Sequence, residues 1–212
     1  MLRFSSKLTN WKAVCSPRGL EIAMRRITIF VFALTLSFAA CNESPSSPSG
    51  QSAMFNLRLT DSPFSDARAV LVTFSEVTAH RSDSDWTTVP FAGGATSRTC
   101  DLKKLENSED VLGTGPLPAG DYTQVRLVVQ SAKIYFDNPS DGPACATTFA
   151  APAGTMSDVR IPSGEVKLNR GFKLAADATT TMLIDFDGDR SINQTGNGTY
   201  MMSPVISIAR VN

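Results

Sequence analysis

From Ala53 onward the chain consists of short runs with an apolar residue at every second position, each closed by Gly, Pro, Asn or Asp. No other feature restricts its fold as much. Met54–Thr60 places Phe55, Leu57 and Leu59 on one face and Asn56 and Arg58 on the other. Ala69–Thr78 is apolar and β-branched on both faces, as a central strand requires. Val125, Leu127 and Val129 share a side, whereas Ala132, Ile134 and Phe136 follow in the opposite phase, which predicts a bulge or bend near Ser131. Thr180, Met182, Ile184 and Phe186 alternate in turn. Tyr200, Met202, Ile206 and Ile208 close the chain, with Pro204 marking an edge or a break. Only Cys100–Ser108 has the makings of a short helix. The expectation is an all-β domain over residues 53–212, an antiparallel β-sandwich of about eight or nine strands with at most one short helix. No fixed internal period points to a solenoid or propeller.

The formal charge of zero over 212 residues conceals two halves. Residues 1–40 hold six Lys/Arg against one acid (+5), and residues 41–212 hold fourteen against nineteen (−5). A mildly acidic body without basic runs is not built for nucleic acid, whose binding needs Lys/Arg clustered against phosphates. Met24-Arg25-Arg26 is a short positive segment, and the fourteen residues Ile27–Ala40 carry no charge. They are too few for a hydrocarbon core that needs about 20, so residues 24–40 read as a signal peptide. The segment ends in Phe38-Ala39-Ala40-Cys41, which resembles the bacterial lipobox, with Phe38 where Leu is usual. The resemblance implies diacylglycerol on the Cys41 sulfur, cleavage to make Cys41 the N-terminus, acylation of its amine, and hence a membrane as partner. Asn42 in place of Asp implies no retention at the inner membrane, so an outer-membrane anchor in the cell envelope is expected. The competing reading is an ordinary secretory signal with Cys41 incidental. Residues 1–23 match no element, and are expected to be a mis-assigned start upstream of Met24 or a disordered extension removed with the signal. Residues 41–52 contain the Ser44–Gly50 run of Ser, Pro and Gly, a spacer that cannot bury a core.

Leu59-Thr60-Asp61-Ser62-Pro63, the run from Val72 through Glu76-Val77 to His80, and Trp86 come first in a series of blocks. Leu117–Val129, Pro162-Ser163-Gly164, Asp185–Ile192 and Pro204-Val205-Ile206 follow. In this order they resemble the bacterial and archaeal lipoprotein domain known as domain of unknown function 4382, over about Ala53 to Val211. The resemblance implies a β-sandwich, prealbumin-like in outline, on an exported lipoprotein. It implies no activity, and the Cys100/Cys145 pair departs from its pattern.

Signatures of catalysis are missing from the sequence. It has no Gly-x-Ser-x-Gly elbow, His-Glu-x-x-His, Cys-x-x-Cys or Walker loop. Gly113-Thr114-Gly115-Pro116 lacks the Lys a phosphate loop needs and reads as a turn. His80, the sole histidine, reads as a polar strand-end residue rather than a catalytic base. The acidic run Asp185-Phe186-Asp187-Gly188-Asp189 begins like an EF-hand, but the twelfth place is Gly196 and the glycine falls early. Asp185, Asp187 and Asp189, with Asp61 from the turn after the first strand, remain candidate oxygen ligands for Ca²⁺ at a sandwich edge. The plainer reading makes them a strand end in which Asp187 or Asp189 pairs Arg190 or caps backbone amides. Two functions from different classes follow. One is a non-catalytic module that binds a glycan or an envelope protein, or serves a structural part. The other is a glycan-directed hydrolase that pairs Asp61 with Asp185 or Asp187. With Cys15 removed and Cys41 lipidated, Cys100 and Cys145 form an even pair in an oxidising compartment, and a disulfide is expected. Two buried free thiols are the alternative.

Overall fold

The computed structural model describes residues 50–62 and 65–212. Residues 1–49, and with them the leader, Cys41 and most of the spacer, lie outside the described residues. The strands are β1 (Ser52–Ser62), β2 (Ala69–Arg81), β3 (Trp86–Thr88), β4 (Arg98–Asp101), β5 (Asp110–Pro118), β6 (Gly120–Tyr135), β7 (Cys145–Ala146), β8 (Met156–Arg160), β9 (Glu165–Leu174), β10 (Thr179–Asp187), β11 (Ile192–Gln194), β12 (Tyr200–Met202) and β13 (Ile206–Val211). They form a four-stranded sheet in the order β13-β10-β1-β5 and a nine-stranded sheet in the order β11-β12-β8-β6-β2-β4-β7. In the larger sheet β3 also pairs with β2, and β9 with β6.

The alternation behaves as physical chemistry requires. Phe55, Leu57 and Leu59 of β1 and Met182, Ile184 and Phe186 of β10 are fully buried, and face Val125 and Leu127 of β6 across the core. Phe172 of β9 bridges the sheets, stacked 5.5 Å from Phe55 and 5.2 Å from Tyr122. The phase slip in β6 is a bulge. Thr73 pairs with Ser131 and Phe74 with Val129, leaving Gln130 unpaired, and Ser75 is the extra residue on β2. The two irregularities let one strand of sixteen residues keep an apolar inner face through a change of phase.

Most pairing is antiparallel, but β1 runs parallel to β10 from Met54↔Thr179 to Ser62↔Asp187. The Cys100–Ser108 segment contains a single 3-10 turn, Leu102–Leu105, capped by the Asp101 side chain. Two more helical turns lie outside that segment, a 3-10 turn at Ala92–Gly94 and α1 (Gly188–Ser191), which follows β10 directly. Gly113 and Gly115 do not form a turn. They lie inside β5 because the chain at Pro90 presses on that strand. A Cβ on Gly113 would sit 2.9 Å from the Pro90 carbonyl oxygen, and one on Gly115 2.9 Å from the Pro90 ring.

Cys100 and Cys145 are direct cross-strand partners on β4 and β7, with Cα atoms 4.1 Å apart and the disulfide formed. Both are buried. Beside them, buried Asp101 accepts from Val70 N at 3.0 Å, Lys103 N at 3.1 Å and Ser140 Oγ at 2.6 Å, and Asp110 Oδ2 accepts from Cys145 N at 2.9 Å. The staple therefore sits beside a buried carboxylate, Asp101, and a half-buried one, Asp110, each meeting backbone amides that short strands would otherwise leave unpaired.

Candidate functional site

The parallel pairing of β1 and β10 brings Asp61, Asp185, Asp187 and Asp189 to one end of the four-stranded sheet, with Thr60↔Asp185 and Ser62↔Asp187 as neighbours. Strand parity then separates them. Asp61 is in phase with Leu57 and Leu59 and points into the sandwich, 3% exposed. Asp185 points the other way, where the Ser62 hydroxyl lies 3.4 Å from each of its carboxylate oxygens. Asp187 caps α1, accepting from Arg190 N at 3.0 Å, with the Arg190 guanidinium 3.7 Å away. Asp189 is exposed. Among the described residues no three His, Cys, Asp or Glu side chains gather closely enough to hold a metal ion. The same parity sets Asp61 and Asp185 on opposite faces of the sheet. We therefore expect the melting temperature to be the same with EDTA and with millimolar Ca²⁺. A calcium-dependent rise abolished by Asp187→Asn would restore the metal reading.

Asp61 is left with one partner. Its Oδ1 accepts from Gly188 N at 3.0 Å, tying the end of β1 to α1, and its Oδ2 is buried with no hydrogen bond. Burial pushes its carboxyl up to about 8; Asp185 and Glu106 add to the rise, and the Gly188 N–H and Lys103 oppose it.

A second cluster, on the outer face of the nine-stranded sheet, is one that sequence reasoning missed. Trp86 of β3, His80 of β2, Gln124 of β6 and Asn169 of β9 are successive register partners and form one continuous row across four strands. The Trp86 and His80 rings lie 4.9 Å apart and tilted, and His80 Nδ1 is 3.0 Å from Thr123 Oγ1. The Gln124 amide donates to the Asn169 amide oxygen. In the row beside it, Thr88, Thr78, Arg126 and Lys167 are partners in the same way. The Arg126 guanidinium sits 3.9 Å from the Trp86 ring centroid, and Glu165 lies 3.8 Å from Arg126 and 3.3 Å from Lys167. Trp86 is nevertheless 36% exposed. Elsewhere on this sheet face Leu71 and Tyr135 are covered by Phe149, so the chain covers one half of the face and leaves this half open. The legible signal was the hairpin itself. Ser82–Asp85 is a polar turn, and two residues flanking such a turn, His80 and Trp86, are in position to meet across it.

A family model described as a domain of unknown function (DUF4382) matches residues 52–204, the greater part of the chain. No curated protein and no solved structure matches.

Proposed function

We propose that this chain, which belongs to the DUF4382 family, is an exported protein anchored in the cell envelope through lipid on Cys41, with a β-sandwich that binds rather than catalyses. The run from Met24 through the uncharged segment to Ala39-Ala40-Cys41 carries this reading. The buried Cys100–Cys145 disulfide supports it, because such a bond persists in the oxidising compartments that exported proteins reach. For the sandwich, binding is favoured by the open row around Trp86, and catalysis is disfavoured by the divergence of Asp61 from Asp185. Asn42 after the cysteine favours the outer membrane as the destination.

The mature chain begins at Cys41 and partitions with detergent, since two or three acyl chains hold a protein at a bilayer where one does not. Intact-mass spectrometry of the purified membrane fraction tests both points. The expected result is a Cys41 N-terminus carrying diacylglycerol and an amide-linked acyl chain, lost together with membrane association in Cys41→Ser. An unmodified N-terminus, or wild-type protein released without detergent, would overturn the anchor.

A further inference from the structure

We infer that the row Trp86–His80–Gln124–Asn169 is a binding platform for an uncharged polysaccharide, an inference that rests on the sandwich being a binding module. The row crosses four strands, three interstrand spacings or roughly 14 Å, enough for a few sugar rings laid end to end. Its chemistry is mixed in the way a pyranose needs. Arg126 covers one face of the Trp86 ring, and the part of the ring left exposed is what Trp86 offers to the C–H face of a sugar. Gln124 and Asn169 each carry an amide that both donates and accepts, His80 adds an imidazole with the same dual capacity, and hydroxyls of the ligand are donors and acceptors at once. The Gln124–Asn169 and His80–Thr123 contacts hold these groups in place and use only part of their hydrogen-bonding capacity.

Charge selects among occupants. Arg126 and Lys167 are answered by Glu165 in contact and by Glu76 on the neighbouring strand, so the patch carries no net charge. An anionic polymer gains nothing there, and nucleic acid least of all, since its affinity comes from uncompensated Lys/Arg. A protein interface of ordinary size has a buried apolar centre. Here the large exposed apolar side chains on the face are Trp86 and, at the other end of β6 where it pairs with Tyr135, Met156, so around the row Trp86 stands alone among polar groups. A neutral glycan satisfies both conditions.

The test uses the full chain solubilised in detergent, run in native gels cast with a β-glucan, a mannan, a xylan or dextran, and with polygalacturonate as the charged control. At least one neutral polymer is expected to retard the wild-type protein, and polygalacturonate is not. Trp86→Ala lowers the affinity at least tenfold, and Gln124→Ala with Asn169→Ala lowers it several-fold, with melting curves of both variants unchanged. Should Trp86→Ala lower the melting temperature, the amide double variant decides. Retardation by none of the neutral polymers, retardation by polygalacturonate alone, or wild-type affinity in both variants would each overturn the inference. So would a photo-crosslinker placed at Thr88 that captures a protein, at wild-type efficiency, from envelopes stripped of polysaccharide. Cys41 lipidation is measured on the same sample: lipidated protein without glycan binding sinks the platform alone, and unlipidated protein that binds glycan sinks the anchor alone.

Discussion

Replacing Asp61 with Asn is expected to raise the melting temperature by an amount that grows with pH. The folded protein holds the Asp61 proton up to about pH 8, whereas the unfolded chain releases it near 3.8. Between those values the unfolded state binds fewer protons, so stability falls as pH rises. The contribution of the neutral acid is complete below pH 3.8, is lost progressively up to about pH 8, and is flat beyond. Each pKa unit is worth about 1.4 kcal/mol, so by pH 7 the cost to the folded state is on the order of 4 kcal/mol. Water admitted around Oδ2 reduces that figure. Asn keeps the oxygen that accepts from Gly188 N and removes the ionisation. With the cost cut to about half by that water, the expected gain is about 4–8 °C at pH 7, and under about 2 °C at pH 4. Thermal melts of both proteins from pH 4 to 9 check this, and two curves that stay parallel across the range would show that Asp61 is not the group responsible.

The other large effect concerns the disulfide. Removing it as Cys100→Ala with Cys145→Ala reopens a loop of 45 positions in the unfolded chain, for which chain entropy allows about 4 kcal/mol of destabilisation. In a domain of this size that corresponds to a fall of about 8–16 °C. The location adds to the expectation, because β7 has only two residues and pairs only with β4. Without the staple, the segment is held by that short pairing and by a few hydrogen bonds, among them Asp110 to Cys145 N, Arg98 to Cys145 O and Asp101 N to Ala144 O. Because both half-cystines are buried, thiol reagents should find no reactive sulfur among residues 50–212 until the protein is both unfolded and reduced. A double variant melting within about 3 °C of wild type would assign the stability elsewhere.

Much of this architecture was legible because alternation reports which face a residue occupies. Phe55, Leu57 and Leu59, the phase change near Ser131 and the alternation of β10 all follow from it. Alternation says nothing about which strand lies beside which, and so β1 against β10, two segments at opposite ends of the domain running the same way, could not be read from the sequence. The acidic residues illustrate both halves of the point. Their gathering at one sheet end depends on that unpredictable neighbour, and their separation was visible beforehand, since Asp61 continues the phase of Leu57 and Leu59 while Asp185 breaks that of Ile184 and Phe186. The α1 turn escaped notice because four residues carry no helical period. Beyond the His80–Trp86 pair that its hairpin signals, the Trp86 row was out of reach for another reason: it exists only when four strands are in register, and no single segment contains it.

The β1–β10 pairing also sets an order of events. Ser52–Ser62 emerges first, yet its parallel neighbour is synthesised more than a hundred residues later, and β13, which flanks β10, later still. β2, β4 and β6 lie closer along the chain, so the larger sheet has what it needs to form early, while the smaller waits for the last strands to arrive. A chain threaded across a membrane N-terminus first thus holds Phe55, Leu57 and Leu59 uncovered through almost the whole crossing. During that interval β1 is an apolar strand with a bare edge, open to pairing with another molecule. Under the export proposed above, the hazardous moment would fall late in translocation rather than at its start, and a chaperone that shields extended apolar segments would matter most there.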